Sequence, residues 1–225
     1  MHPIELSTFA TNSKLKPMNS IDEIQRKCED MNESNIQESF RNIAEELFQN
    51  YCIQCGQSFF YFAEIEFYYF DEARFHSDWN EVTYERDGYR AGDLFYHLSG
   101  VDICFDSHLL KVNGKKSGYG GGILIRSIVE VVDGKEELTS GPLTCMNKML
   151  NSCKGGNMPK LASAPQQRNR TLKATYRYLG QKDFDSISEG TNKDGIFQLA
   201  FYDNTEDLWK QARPSYYKRL IRKHQ

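Results

Sequence analysis

The sequence predicts an α+β fold with N-terminal helices and a largely antiparallel sheet. Apolar residues recur at helical spacing before residue 56, and aromatic and β-branched residues dominate the segments from Ser58 to Val132. The connections between those segments are mostly too short for the crossover helices that parallel strands need. At 225 residues and 39% hydrophobic content, the chain fits one large domain better than two. We therefore expect a single domain over residues 20–225, preceded by a loose arm over residues 1–19.

Two amphipathic helices are expected within residues 20–55. Ser20 and Glu23 form a capping-box signature that opens the segment IDEIQRKCEDM. In the following segment, NIQESFRNIAEELFQNYC, apolar residues at spacings of three and four make one stripe: Ile36, Phe40, Ile43, Ala44, Leu47 and Tyr51. We interpret this stripe as core packing rather than as a partner site.

Residues 56–150 carry the strands of the predicted sheet. The segment SFFYFAEIEFYYF is long enough for a strand and its exit, and shorter strands are expected over residues 93–97 and 101–106. A strongly β-prone run follows over Ile123 to Val132, and Gly141-Pro142 begins a helix, PLTCMNKML. Residues 151–172 read as a surface excursion, before a late strand, GIFQLAFYD, and a helical segment from about Asn204.

Charge and composition narrow the classes of partner. The formal net charge is -3 with a pI near 6.0, so no global basic field attracts the chain to nucleic acid or to an anionic membrane. No run of about 18 apolar residues and no apolar leader is visible, so we expect no membrane partner and a cytoplasmic location. The six cysteines are expected to be free thiols. Only Cys52 and Cys55 have ligand-like spacing, which does not make a metal site by itself.

Two carboxylates lie inside an otherwise aromatic strand. Because side chains alternate along a strand, Glu64, Glu66 and Tyr68 are predicted to share one face. A buried carboxylate is costly unless it is paired, hydrogen-bonded or functional. The face is therefore either solvated, with both acids as surface charges, or part of a site. Polar residues follow the strand closely, among them His76, which can pack against a planar ring as Tyr68 can.

Several short segments occur in the order and approximate spacing of one enzyme family. They are Glu64-Ile65-Glu66-Phe67-Tyr68, His76-Ser77, Gly92-Asp93-Leu94-Phe95-Tyr96, Gly100, Cys104, Gly122-Ile123-Leu124-Ile125-Arg126 and Gly141-Pro142. Over about residues 60–150 the chain resembles the alkyladenine DNA glycosylase family, also called the mammalian-type 3-methyladenine DNA glycosylases. The resemblance implies a compact α+β domain around a curved antiparallel sheet.

The resemblance also implies a chemistry and a set of site residues. Members of this family flip a damaged purine nucleotide out of DNA and hydrolyse its N-glycosidic bond without a metal or an organic cofactor. Glu66 matches the general base that activates water, and Arg126 matches the arginine that positions the catalytic centre. The aromatic pocket for the flipped base would be formed by Tyr68, His76 and Tyr96.

Two departures from the family pattern leave the substrate open. Where the family has a tyrosine that wedges into the duplex, this chain has Ser99, which cannot fill the gap left by a flipped base. Where the family has a pocket asparagine, it has Asp106, which accepts hydrogen bonds but cannot donate them when ionised. His97 and Asp102 add polar groups nearby. The substrate could be duplex or single-stranded DNA, RNA, or a free nucleoside or nucleotide, and a binding module without activity remains an alternative.

Three basic stretches could contact phosphates. The first is the group Lys154, Lys160, Arg168, Arg170, Lys173 and Arg177, the second is the C-terminal segment WKQARPSYYKRLIRKHQ, and the third is the group Lys111, Lys115 and Lys116. We interpret the C-terminal segment as a helix that buries its aromatic residues, and expect the chain to act as a monomer.

Overall fold

The structure is a computed structural model that describes residues 34–73, 83–153, 155–175 and 199–212. Three helices occur in these ranges: α1 (Ile36–Asn50), α2 (Pro142–Ser152) and α3 (Glu206–Trp209). The strands of the same ranges are β1 (Tyr51–Cys55), β2 (Ser58–Asp71), β3 (Arg86–Tyr89), β4 (Leu94–His97), β5 (Gly100–Cys104), β6 (Ser107–Val112), β7 (Lys115–Val132), β8 (Lys135–Ser140), β9 (Lys160–Ser163), β10 (Leu172–Thr175) and β11 (Ala200–Asp203). The capping-box helix predicted after Ser20 lies outside the described residues.

All strands of the described residues belong to one antiparallel sheet, which confirms the predicted α+β class. Two long strands, β2 and β7, pair along most of their length and form its centre. One edge of β2 holds β1 and β11, and the opposite edge of β7 holds β5, β6 and β8. The outer strands are β4 beside β5, β3 beside β6, β9 beside β1 and β10 beside β11. Short connections join four of these pairs, β1–β2, β4–β5, β6–β7 and β7–β8.

The apolar core lies between α1, α2 and one face of the sheet. Phe40 of α1 is fully buried and stacks on Phe67 of β2, with 4.4 Å between the ring centroids. The rings of Phe105 and Phe201 pack around Phe67 at 6.4 and 5.6 Å. The helical stripe predicted over this segment is therefore core packing. A smaller cluster, in which Trp209 of α3 is buried, covers part of the opposite face.

One segment predicted to be helical is a strand. Residues 20–55 were assigned to helices, but α1 ends at Asn50, and Tyr51 to Cys55 form β1. The helical spacing of apolar residues extends to Tyr51. The backbone N–H and C=O groups of β1 nevertheless form their hydrogen bonds with β2 and β9. Long-range pairing therefore decides the conformation of these five residues, and Phe48 takes the last place in the buried helical stripe.

Candidate functional site

The face of the sheet opposite the helices carries a row of polar side chains. Glu66 on β2 pairs with Leu124 on β7, and Leu124 pairs with Asp102 on β5. Residues directly opposite each other in antiparallel strands point to the same face. Glu66 and Asp102 are 0% and 2% exposed, so this face is buried here, and the interpretation of Glu64 and Glu66 as solvated surface charges is wrong.

Arg126 joins the two glutamates of β2. Its Nε donates to Glu64 Oε1 at 3.2 Å, and its Nη1 donates to Glu66 Oε2 at 3.1 Å. The register between β2 and β7 shifts on both sides of Glu64, so Arg126 has no directly opposed partner in the ladder. This irregularity lets the neighbouring residues Arg126 and Ser127 both donate to Glu64. Arg126 and Glu66 are thus in direct contact.

Tyr68 connects the glutamates with a neighbouring cavity. Its hydroxyl donates to Glu66 Oε2 at 2.6 Å, which confirms that Glu66 and Tyr68 share a face. Tyr68 pairs with Gly122 on β7, and a Cβ at Gly122 would lie 2.4 Å from Arg86 Nη1. The glycine therefore leaves the space beside Tyr68 that the Arg86 guanidinium occupies.

A second buried polar cluster consists of Arg86, Asp102 and His97. Arg86 Nη2 donates to Asp102 Oδ2 at 2.8 Å, and its Nη1 donates to the Gly121 carbonyl at 3.1 Å. His97 Nε2 lies 3.1 Å from Asp102 Oδ1. The side chains of Arg86, Asp102 and His97 are 0%, 3% and 7% exposed. The opposite charges of Arg86 and Asp102 are thus paired away from water.

The hydrogen bonds of His97 define its tautomer. The Ser99 backbone N–H donates to His97 Nδ1 at 3.2 Å, so Nδ1 is an acceptor and the ring proton lies on Nε2, where it is donated to Asp102. With both nitrogens engaged, the His97 ring is held in one orientation. Tyr84 packs against that ring, with 4.6 Å between centroids and an interplanar angle of 35°.

Tyr68 of the first cluster and all three residues of the second line a cavity of about 190 Å³. Its walls combine aromatic rings, one aliphatic side chain and buried polar groups: Tyr68, Thr83, Tyr84, Arg86, His97, Ser99, Asp102 and Leu124. At its mouth, the hydroxyls of Tyr84 and Ser99 lie 3.3 Å apart and share a hydrogen bond. The cavity is therefore suited to a planar ring with a polar edge.

The structure brings only some of the predicted site residues to this cavity. Tyr68 and Ser99 line it, and Glu66 and Arg126 lie directly behind Tyr68. His76 lies outside the described residues. Asp106 is not among the lining residues, and its Oδ1 accepts a hydrogen bond from the Ala91 backbone at 2.7 Å, so it holds the turn before β4.

Tyr96 was predicted as an aromatic wall, and this prediction is wrong for the described cavity. Side chains alternate along β4, so His97 faces the cavity while Tyr96 points to the opposite face and packs against the apolar core. Burial raises the pKa of Tyr96 to about 12. Its hydroxyl is buried without a hydrogen-bond partner among the described residues.

Three cavity residues were missed by the sequence analysis: Thr83, Tyr84 and Arg86. None belongs to a recognisable motif. Strand β3 has four residues, too few for an alternation of apolar and polar side chains to predict it. A signal did exist for His97. Phe95 pairs with Asp102, so the alternation of β4 places His97 and Asp102 on one face once the hairpin is assumed.

Two arginines of the basic stretches are committed to intramolecular contacts. Arg168 and Arg170 both pair with Glu136, and Arg168 also stacks over the Tyr61 ring. Trp209 is buried and donates from Nε1 to the Asp203 carbonyl at 2.6 Å, as the packing interpretation of the C-terminal segment requires. Lys111 and Lys115 are exposed on the β6–β7 hairpin. Lys154, Arg177 and residues 213–225 lie outside the described residues.

Within the ranges that the structure describes, no group of three or more His, Cys, Asp or Glu side chains is arranged to hold a metal ion. No helix in those ranges has the length and apolar character needed to cross a membrane. Comparisons with protein-family models, with curated proteins and with solved structures find no match to this chain. The resemblance to the alkyladenine DNA glycosylases therefore stays a prediction.

Proposed function

We propose that this protein hydrolyses the N-glycosidic bond of a damaged or modified purine nucleotide, with Glu66 as the general base. One observation carries the proposal. Tyr68 donates its hydroxyl to Glu66 at 2.6 Å and also lines the cavity, so an acid-base group lies directly behind a pocket with aromatic walls. This arrangement agrees with the roles that the family resemblance assigns to Glu66 and Tyr68.

The contacts of Glu66 suit the chemistry. Its Oε2 accepts hydrogen bonds from Tyr68 and from Arg126, and both interactions favour the ionised carboxylate. In the proposed reaction Glu66 takes a proton from water, the water oxygen bonds to the anomeric carbon, and the carbon–nitrogen bond breaks as the base leaves. A fixed negative charge stabilises the oxocarbenium-like transition state of this displacement.

The β4–β5 turn supports a nucleic-acid substrate. Ser99 cannot replace a flipped base, but the adjacent Leu98 is 95% exposed at the tip of the turn, beside the cavity mouth. Proteins that bend or unstack duplexes insert apolar side chains, leucine among them, between base steps. Leu98 is thus an available wedge for a duplex substrate.

A binding module without turnover is the second candidate function. It is favoured by the burial of Glu66, which is 0% exposed and whose Oε2 already accepts two hydrogen bonds. A general base must reach the proton it abstracts, directly or through one water. This candidate keeps the cavity as a site for a base and assigns Glu66 to stability alone.

Single-turnover base release separates these functions. The substrates are oligonucleotides with hypoxanthine or an alkylated purine, offered as duplex and as single strand, together with the corresponding free nucleosides. Glu66→Gln should reduce release by about 10²–10⁴-fold, the usual contribution of a general base. Glu130→Gln is the matched control, because Glu130 lies on β7 and pairs with Lys148, away from the cavity.

The strand preference of the wild type tests the role of the turn. Faster release from duplex than from single strand would agree with Leu98 as a wedge. Absence of release from every substrate, with the protein folded, would exclude the glycosylase function and leave the binding module.

A further inference from the structure

We propose that the cavity beside Tyr68 holds an uncharged planar heterocyclic ring, and that the Thr83 hydroxyl reads the polar edge of that ring. The inference rests on the proposed function, because it names the part of the substrate that the same site takes up. It assigns specificity to residues outside the segments that resemble the glycosylase family.

Thr83 has an unused hydrogen-bonding group at the cavity. The residue is 2% exposed, it lines the cavity, and its Oγ1 has no partner among the described residues. A buried hydroxyl without a partner is unfavourable, so native proteins seldom keep one without a reason. A ligand with a donor or an acceptor at its edge would satisfy Thr83 on binding.

The charges at the cavity favour a neutral ligand. Among the described lining residues the only charged groups are Arg86 and Asp102, which form a 2.8 Å pair and cancel each other. Both ring nitrogens of His97 are engaged, Nδ1 by the Ser99 backbone N–H and Nε2 by Asp102. A phosphate would find no uncompensated cation among the described lining residues, since the Arg86 guanidinium also donates to the Gly121 carbonyl and the Cys104 sulfur.

Size and wall composition favour one ring system. A volume of about 190 Å³ is smaller than the roughly 300–1,000 Å³ of pockets that enclose drug-sized ligands. Tyr68, Tyr84 and His97 supply aromatic surface, and Leu124 supplies an aliphatic patch. The cavity therefore fits a nucleobase alone, with the sugar and phosphate of a nucleotide remaining outside, past the Tyr84–Ser99 hydrogen bond.

The test measures equilibrium binding of free hypoxanthine by calorimetry, together with the thermal stability of each ligand-free variant. Thr83→Val keeps the side-chain shape and removes the hydroxyl. It should weaken hypoxanthine binding about tenfold, the loss expected for one hydrogen bond. The ligand-free variant should be as stable as the wild type or more stable, because an unpaired buried hydroxyl has been removed. Thr83→Ser, which keeps the hydroxyl, should retain binding.

Ser140→Ala is the matched control. Ser140 Oγ is also buried without a partner among the described residues, but it lies outside the cavity, so this variant should bind hypoxanthine as the wild type does. Inorganic phosphate should not compete. The inference is overturned if the wild type does not bind hypoxanthine, if phosphate displaces it, if Thr83→Val binds equally well, or if Thr83→Val loses binding together with stability.

These outcomes are distinguishable from those of the base-release assay. Binding that depends on Thr83, without release from any substrate, supports this inference and removes the glycosylase function. Release that depends on Glu66, without binding of the free base, supports the glycosylase function and overturns this inference.

Discussion

Arg126 and Arg86 each compensate the charge of buried carboxylates, at two points of one face of the sheet. Each places a guanidinium among buried carboxylates, Arg126 beside Glu64 and Glu66, and Arg86 beside Asp102. Burying an ion is unfavourable unless paired charges and hydrogen bonds compensate for the lost water. Arginine suits both positions because its planar group donates in several fixed directions at once. The polar face is therefore a network in which each charge depends on its partners.

Asp102→Asn should destabilise the protein by about 3–5 kcal/mol, the usual effect of leaving one partner of a buried ion pair behind. The Arg86 side chain is 0% exposed and would lose its carboxylate. In addition, the asparagine amide has only one oxygen, so its NH₂ group would face either the Arg86 guanidinium or the Nε2–H of His97. Two hydrogen-bond donors would then point at each other. Urea denaturation monitored by circular dichroism measures the change.

Asp207→Asn is the matched control for this prediction. Asp207 pairs with Lys210 at 2.7 Å, but the two side chains are 86% and 65% exposed. An exposed pair of this kind contributes little, so the free energy of unfolding should stay close to that of the wild type. Equal losses in the two variants would contradict the buried network as the source of stability.

Single residues show where sequence reasoning works and where it stops. Alternation along β2 correctly places Glu64, Glu66 and Tyr68 on one face, because a two-residue period needs only local information. Tyr96 was assigned to the pocket by resemblance, although the same alternation on β4 turns it to the core and turns His97 to the cavity. Arg86 could not be assigned, since its partner Asp102 lies on another strand of the sheet.

At the scale of elements, the pairing of β2 with β7 positions the site. The two strands bring Arg126 to Glu66 across 60 positions of sequence, and the register shifts around Glu64 direct the arginine to both glutamates. Helix α1 supports this pair of strands from the other side, through Phe40 and Phe67. The position of the acids therefore depends on packing against α1.

Phe40→Ala should destabilise the protein by about 3–5 kcal/mol, because it removes a fully buried ring and leaves a cavity against the rings of Phe67 and Phe105. Asn42→Ala, on the exposed side of the same helix, should change stability by less than about 0.5 kcal/mol. Chemical denaturation of both variants checks the difference. A small effect of Phe40→Ala would mean that α1 is not part of the domain core.

At the scale of the molecule, the fold class and the long elements could be predicted, and the sheet connectivity could not. Helix α1 and the strands β2 and β7 carry strong periodicity or composition of their own. The strand β1 was mistaken for the end of a helix because its conformation depends on pairing with β2 and with β9, the latter more than 100 positions later. Likewise the excursion over residues 151–172 contains a strand, β9, whose partner among the described strands is the distant β1.

Alkaline pH tests the packing of the whole core, because several buried acids stay protonated in the folded state. Burial raises the pKa of Cys52 from 9.0 to about 11 and that of Cys104 from 9.0 to about 12. Burial likewise raises the pKa of Tyr96 from 10.0 to about 12. For each group the folded state holds its proton more tightly than the unfolded state does, so the associated stability is complete below the unfolded pKa. It is lost progressively as the pH rises toward the folded pKa.

We therefore expect the melting temperature to fall steadily between about pH 9 and about pH 11, as measured by circular dichroism in buffers matched for ionic strength. Tyr96→Phe removes one of these groups and a buried hydroxyl that has no partner among the described residues, while it keeps the ring. This variant should match or exceed the wild type in stability near neutral pH and lose less stability in the alkaline range. A melting temperature that is constant up to about pH 11 would contradict the burial of the thiols and of Tyr96 in the core, and with it the assignment of Tyr96 to the face opposite the cavity.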